Sequence, residues 1–256
     1  VENCSFINGA YIAIELNAVS NCFVRGNVFS GNAAFGVFAT VGTYGGEYSQ
    51  NYTEDSGLEL IGIRYDCHDI KVIGNTAINC LDNGISVTGY NCTVTGNICH
   101  TNKGSGIHLY GSNNTAVGNV CYNNGQNQVN RAGIQIAGDA GGVATNNTVV
   151  GNVCFDNQTV PTQTWGISLG NNDYTVWSTG VSVSLNSYRY YLNNLYIAAS
   201  AGTTGATPPT WTTGTQSDGG VNWTFITTTT TSFNATGNEV TANRCFGNSS
   251  QDFNNQ

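Results

Sequence analysis

One short pattern recurs along the whole chain and restricts the folds open to it. A Gly-Asn dipeptide, or a close variant, is followed five residues later by a second asparagine or a cysteine. The first asparagine of the pattern stands at seven positions: Asn3, Asn27, Asn75, Asn97, Asn119, Asn152 and Asn243. The second position is held by Asn8, Asn32, Cys80, Asn102, Asn124, Asn157 and Asn248. Self-similarity at a fixed spacing identifies a repeat protein.

The spacing of the pattern predicts the kind of repeat. The shortest interval between two first asparagines is 22 residues, and a Gly-apolar step such as Gly84-Ile85 or Gly106-Ile107 lies between them. We align Gly62 with these two glycines, because each of the three stands thirteen residues before an asparagine. No segment has an apolar period of 3.6 residues, which excludes helical repeats. We therefore predict an all-β fold: a right-handed parallel β-helix of about seven 22-residue coils.

Such a helix stacks equivalent positions of successive coils into columns about 4.8 Å apart. The repeated asparagines then form two ladders that satisfy backbone groups of the turns. Four thiols fall into one buried column, which we interpret as packing and neither as a metal site nor as disulfides: Cys99, Cys121, Cys154 and Cys245. Cys22 and Cys92 share another column. Beside the thiols we expect an aromatic-rich column of Phe6, Ile78, His100, Tyr122, Phe155 and Phe246.

Composition excludes several function classes. Only 9% of the residues are charged, the net charge is −8, and Lys and Arg together number 7, so the clustered basic face of a nucleic-acid-binding protein is missing. No apolar run reaches the length that spans a bilayer, so we expect no membrane insertion. We also expect no metal and no cofactor. The repeat is already under way at Asn3, which suggests a longer parent protein.

Interruptions of the repeat are candidate functional loops, because loops on a rigid scaffold often carry function. We interpret residues 39–61, 125–131 and 158–164 as loops. The largest interruption defines the predicted domains: the β-helix over 1–169 and 238–256, and an inserted β-rich module over 170–237. Aromatic rings can stack on sugars, so Trp165, beside the third loop, and Trp177, within the module, are candidate substrate-binding residues.

The columns after the aligned glycines supply candidates for chemistry. Arg64, Ser86, His108, Gln135 and Ser168 are expected in one outward column, with Asp66, Thr88 and Tyr110 two positions further. Glycan hydrolysis requires two carboxyl groups, for which we propose Glu59 and Asp66. His108 or Tyr110 could instead abstract a proton in a lyase reaction. Arg64, Tyr110 and Gln135 are candidate substrate-binding residues. The alternative interpretation is an ordinary surface ion pair of Arg64 with Asp66.

The segment within 196–223 carries a further pattern: Tyr196-x-Ala, Gly202-Thr-x-Gly, Pro208-Pro and Asp218-Gly-x-x-x-Trp. It resembles a small β module of phage tail and tail-spike proteins. The repeats themselves resemble right-handed β-helices of the pectate-lyase-like superfold, which include spikes that bind and often cleave bacterial surface polysaccharide. This resemblance implies a homotrimer, a glycan receptor and a location on the virion tail. The Trp-x-Asp-His run of β-helix pectate lyases and the Asp-Pro-His-Glu run of β-helix epimerases are both absent.

Three functions remain open from the sequence. The first is a tail-spike-like receptor-binding protein that recognises, and possibly cleaves, bacterial surface polysaccharide. The second is a non-catalytic structural tail or adhesin segment whose outer faces are packing surfaces. The third is a secreted bacterial polysaccharide lyase or epimerase. A shared fold does not decide between them, because function depends on the site.

Overall fold

The protein is described by a computed structural model that covers residues 1–128, 130–138, 144–170, 175–192, 194–228 and 237–255. It divides into two compact units, the first formed by residues 1–171 and 233–256 and the second by residues 172–232. Some residues at the predicted module boundaries, 171–174 and 229–236, lie outside the described residues. No helix able to span a membrane is found in the described part of the chain.

The first unit consists of three parallel sheets, to each of which almost every coil contributes one short strand. The first sheet contains β1 (Ser5–Ile7), β4 (Val28–Ser30), β7 (Tyr52–Glu54), β10 (Thr76–Ile78), β13 (Ile98–His100), β16 (Val120–Tyr122), β19 (Val153–Phe155) and β29 (Arg244–Phe246). The second contains β2 (Ile14–Asn17), β5 (Val37–Thr40), β8 (Ile61–Ile63), β11 (Ile85–Val87), β14 (Ile107–Leu109), β17 (Ala132–Ile136), β20 (Trp165–Leu169) and β30 (Gln251–Asn255). The third contains β3 (Phe23–Arg25), β6 (Glu47–Ser49), β9 (Lys71–Ile73), β12 (Thr93–Thr95), β15 (Thr115–Val117), β18 (Thr148–Val150) and β28 (Glu239–Thr241).

This arrangement confirms the predicted all-β parallel β-helix. The described strands make seven coils of three strands and begin an eighth. The interpretation of residues 39–61 as a loop was wrong, because β6 and β7 lie within it; β6 ends one ordinary coil and β7 begins the next. The missed position is Asn51, which follows Gln50 instead of glycine; Gln50 adopts the left-handed backbone conformation, with a φ of 54°, that glycine adopts elsewhere.

The predicted asparagine ladders are present and bind the coils together. The side-chain oxygen of Asn119 accepts hydrogen bonds from the backbone N–H and the side-chain amide of Asn97, at 2.9 and 3.0 Å. The side-chain amide of Asn119 donates in turn to the carbonyl of Val94 at 2.9 Å. The same contacts recur from Asn27 to Asn243. Each side chain thus satisfies buried backbone groups of the turns.

Three details of the ladders differ from the prediction. In the first coil the backbone N–H of Cys4 donates to Asn27, so Cys4 and not Asn3 occupies the ladder position. In the second ladder Gln163, and not Asn157, receives the hydrogen bonds of Asn124. A third ladder was not predicted and runs through Cys92, Asn114, Asn147 and Asn238. Only its last member, Asn238, follows a glycine, so the Gly-Asn pattern did not reveal this ladder.

Replacing Asn119 with alanine tests the energetic role of the first ladder. The substitution leaves a buried backbone N–H, a side-chain amide and a carbonyl without their partner, and each such group costs about 1 to 3 kcal/mol. Since the neighbours can relax in part, we expect the free energy of unfolding in urea to fall by about 3 kcal/mol. Thr115→Ala, on the half-exposed outer face of β15, is the control and should change it by less than about 0.5 kcal/mol.

The core of the first unit is apolar and contains the predicted thiol column. Cys99 pairs with Cys121, Cys121 with Cys154 and Cys154 with Cys245, with no disulfide among them. Burial raises the pKa of Cys121, so this thiol is a packing group and a poor nucleophile. The aromatic column runs through Ile78, His100, Tyr122, Phe155 and Phe246 as predicted. Phe6, in contrast, stacks inside on Phe29 at 5.3 Å.

Among the described residues Tyr48 is the bulkiest fully buried side chain of the first unit, and its hydroxyl has no hydrogen-bond partner there. An unsatisfied buried hydroxyl costs free energy, so we expect Tyr48→Phe to raise the free energy of unfolding by about 1 kcal/mol. Tyr196→Phe is the matched control: Tyr196 is equally buried, but its hydroxyl donates to the carbonyl of Trp211 at 2.8 Å. The control should therefore be destabilising, and a loss of stability in both variants would contradict this interpretation.

The second unit is a small β module. Its strands are β21 (Thr175–Val176), β22 (Ser182–Val183), β23 (Tyr188–Tyr191), β24 (Asn194–Ala198), β25 (Gly202–Thr203), β26 (Thr215–Ser217) and β27 (Asn222–Thr228). Asp218 joins its two buried tryptophans, accepting from the indole N–H of Trp177 at 3.0 Å and of Trp223 at 2.9 Å. Burial opposes ionisation, yet these hydrogen bonds and two from the backbone lower the pKa of Asp218 to about 2. Trp177 is therefore part of the module's core.

Candidate functional site

The outer face of the second sheet differs from a normal solvent-facing sheet surface, because its side chains are buried. Register places Gly62, Ser86, His108, Gln135 and Ser168 in one outward column, and the four that have side chains are at most 6% exposed. Polar side chains on an exposed sheet face normally remain in contact with water. Two residues of this column, Gly62 and Ser86, form the floor of a cleft.

The register corrects our alignment of this column. Gly62, not Arg64, pairs with Ser86. Arg64 directly follows Ile63, the partner of Val87, and therefore stands level with Thr88. The error arose because Gly62 lies within β8, whereas Gly84 immediately precedes its strand. Arg64 thus lies two residues further along the coil than predicted, at the end of the strand.

A cleft of about 220 Å³ opens over this floor. Apolar side chains and the ring of Tyr110 form part of its wall, and polar and charged groups form the rest. The lining comprises Phe35, Leu58, Glu59, Gly62, Ile63, Arg64, Asp82, Ser86, Thr88 and Tyr110. An apolar pocket with a few convergent polar groups is the usual form of a ligand site.

Glu59 is the chemically distinctive residue of the cleft. It lies in the turn before β8 and is 7% exposed. The hydroxyl of Ser86 donates to its Oε1 at 2.7 Å, and Asn83 donates to Ser86 at 3.3 Å. Burial, reinforced by the nearby negative charge of Asp82, raises the pKa of Glu59 to about 8 against the lowering effects of Ser86, Arg64 and Asn83. Glu59 is therefore largely protonated at neutral pH.

The charged neighbours of Glu59 are more exposed. Asp82 is half-buried and Arg64 is exposed, and the guanidinium of Arg64 lies 4.9 Å from the ring centre of Phe38. The cleft thus combines a neutral carboxylic acid, a carboxylate and a cation within one lining. A carboxyl group whose environment raises its pKa, with a second carboxyl group in the same cleft, is an arrangement used for acid–base catalysis.

The structure brings together some of the candidate residues and separates others. Glu59, Arg64 and Tyr110 line the cleft, and His108 is buried against Tyr110, with ring centres 3.5 Å apart. Asp66 is exposed and does not line it, which removes the geometric basis for pairing it with Glu59.

The remaining candidates do not line the cleft. Gln135 is fully buried and accepts a hydrogen bond from Ser105 at 2.9 Å. Trp165 is 8% exposed and pairs with Ala132 in the second sheet, while Trp177 belongs to the second unit. Sequence reasoning missed Asp82, which lies two residues before the repeated Gly84-Ile85 step.

Comparisons with known proteins agree with this architecture. The sequence model of the family described as right handed beta helix region matches residues 1–154. The chain belongs to this family. No curated protein matches this right-handed β-helix in a sequence search.

Three solved structures that resemble this fold are named as epimerases. The A-module of the mannuronan C-5 epimerase AlgE4 of Azotobacter vinelandii has a TM-score of 0.56 and 17% identity, over 70% of this chain and 52% of that one. The periplasmic alginate epimerase AlgG has a TM-score of 0.53 and 14% identity over 98% of this chain and 48% of its own. A point mutant of AlgG has a TM-score of 0.53 and 19% identity, over 66% of this chain and 37% of its own. This chain thus spans about half or less of the length of each of these proteins, and the similarity is one of fold.

Proposed function

We propose that this right-handed β-helix binds a polysaccharide in the cleft and cleaves it by acid–base catalysis. The observation that carries the proposal is the buried carboxyl of Glu59, which burial and Asp82 keep protonated at neutral pH. A carboxylic acid that retains its proton near pH 7 is suited to general acid catalysis. The fold neighbours, named as epimerases of mannuronan and alginate, support a polysaccharide substrate.

In the proposed reaction Glu59 donates its proton to the glycosidic oxygen, so that the leaving sugar departs as a neutral hydroxyl. Asp82, the second carboxyl of the lining, replaces the Asp66 of the sequence-based hypothesis and either activates water or attacks the sugar carbon. The hydroxyl of Ser86 holds Oε1 of Glu59 at 2.7 Å. Arg64 provides the positive charge for an acidic sugar, and Phe35, Leu58 and Tyr110 contact its apolar faces.

The biological setting we propose is a tail-spike-like receptor-binding protein that acts on bacterial surface polysaccharide. The support is the second unit, whose pattern resembles a phage tail module and whose tryptophans are joined by Asp218. Such a protein acts outside the cell, on a virion tail or as a secreted protein. The homotrimer implied by the same resemblance stays a prediction, as do roles for His108 and Gln135 beneath the cleft.

The purified chain should be incubated with a panel of capsules, lipopolysaccharides and alginate. We expect new reducing ends from one acidic polysaccharide, without the ultraviolet absorbance of an unsaturated sugar. That absorbance would identify a lyase, and deuterium incorporation at a sugar carbon without cleavage would identify an epimerase. Retention of labelled polymer without either reaction would support a binding protein. Failure to bind any polysaccharide of the panel would contradict the proposal.

A further inference from the structure

The outer face of the first sheet is unusually apolar for a surface. Over three successive strands its outward positions are Ile98, His100, Val120, Tyr122, Val153 and Phe155, which we call the ladder face. The rings stack with centres 4.5 to 5.0 Å apart, and Ile98 is 40% exposed. The outer face of the third sheet, in contrast, has threonines and an ion pair between Arg25 and Glu47.

The charges at the two ends of the ladder face are opposite. Glu54 lies in the same column as His100, two strands before it. Arg244 lies at the other end, next to Val153 in the neighbouring column. Both residues are exposed. The guanidinium of Arg244 lies 4.9 Å from the ring centre of Phe246, so its charge is located over the column that contains Glu54.

We propose that the ladder face is the interface through which two copies of this chain associate in antiparallel orientation. A two-fold axis along the strand direction, midway between Glu54 and Arg244, brings Glu54 of each copy opposite Arg244 of the other. A parallel arrangement would place like charges together. Two-fold interfaces use the same patch on both copies and therefore require this self-complementarity. Unpaired apolar strips of this kind commonly mark interaction sites.

The dimensions predict a reversible dimer. Glu54 and Arg244 are separated by five strand spacings, or about 24 Å, and the strands are about 10 Å long. The strip is smaller than the roughly 800 Å² per partner of a stable interface. We therefore expect monomer and dimer to exchange and the dimer fraction to rise with concentration.

Sedimentation velocity over a concentration series of the full chain tests the interface. We expect a dimer at high concentration. The Val120→Lys variant should remain a monomer, because its dimer would bury one unpaired lysine charge from each copy. Val117→Lys is the matched control: Val117 is half-buried on the outer face of the third sheet, and its replacement should leave the dimer unchanged. Circular dichroism verifies folding. A monomer at every concentration, the homotrimer that the tail-spike resemblance implies, or equal effects of the two lysines would overturn the proposal.

Charge reversal tests the orientation. Glu54→Arg and Arg244→Glu should each raise the dimer dissociation constant about tenfold, since like charges then meet twice. The double variant should restore the wild-type constant. In a parallel dimer like charges already face each other, and neither single reversal would weaken association. Single variants that dimerise as well as the wild type, or a double variant that remains monomeric, would refute the antiparallel arrangement.

Discussion

Replacing Glu59 with glutamine should reduce kcat for polysaccharide cleavage by about a thousandfold, within the range that a general acid contributes. Glutamine keeps the oxygen that accepts the hydrogen bond of Ser86 but has no proton to donate to the leaving oxygen. Substrate binding through Arg64 should survive, so KM should change little. Steady-state measurement of reducing ends on the substrate identified by the panel checks this result.

Two control variants distinguish the acid from its surroundings. Asp66→Asn removes an exposed carboxylate outside the cleft and should leave kcat unchanged, whereas Asp82→Asn removes the proposed second carboxyl and should lower it strongly. In the wild type, activity should fall as pH rises through about 8, because the pKa of Glu59 is about 8 and only the protonated form is an acid. Full activity of Glu59→Gln would exclude Glu59 as the acid.

Much of the fold could be predicted because the ladder imposes a local sequence requirement. A side-chain amide such as that of Asn119 serves both Asn97 and Val94, so asparagine recurs at each coil and marks the period directly. The prediction lost accuracy where another residue meets the same physical need. Gln50 adopts the left-handed turn in place of glycine. Gln163 reaches the ladder position after a loop has displaced Asn157.

The candidate site was only partly predictable, because its chemistry depends on depth and register. A two-residue misalignment at Gly62 led us to place Asp66 beside Glu59, and Asp82 was not considered because it lies outside the aligned columns. The sequence alone would suggest that the apolar Leu58 is buried and the charged Glu59 exposed. In the structure the reverse holds: Leu58 is exposed and Glu59 is buried. The raised pKa follows from that burial and from Asp82, which only the three-dimensional arrangement of successive coils reveals.

The buried acid also has a thermodynamic consequence that can be measured without a substrate. Below about pH 4.5 the Glu59 carboxyl is protonated in both folded and unfolded chains. Between that pH and about 8 the unfolded chain releases the proton while the folded chain retains it, so folded stability falls as pH rises. At about 1.4 kcal/mol per pKa unit, the loss at this site reaches about 5 kcal/mol above pH 8.

Glu59→Gln removes this ionisation and should therefore be more stable than the wild type in alkaline solution. We expect similar free energies of unfolding for the two proteins near pH 4.5, and a difference that grows to about 5 kcal/mol by pH 9. Urea unfolding at a series of pH values measures it. Thr115→Ala, a substitution on the half-exposed outer face of β15 that changes no ionisable group, is the control and should give no such trend. A constant difference between wild type and Glu59→Gln across this range would show that the carboxyl ionises normally. It would also remove the physical basis for its role as an acid.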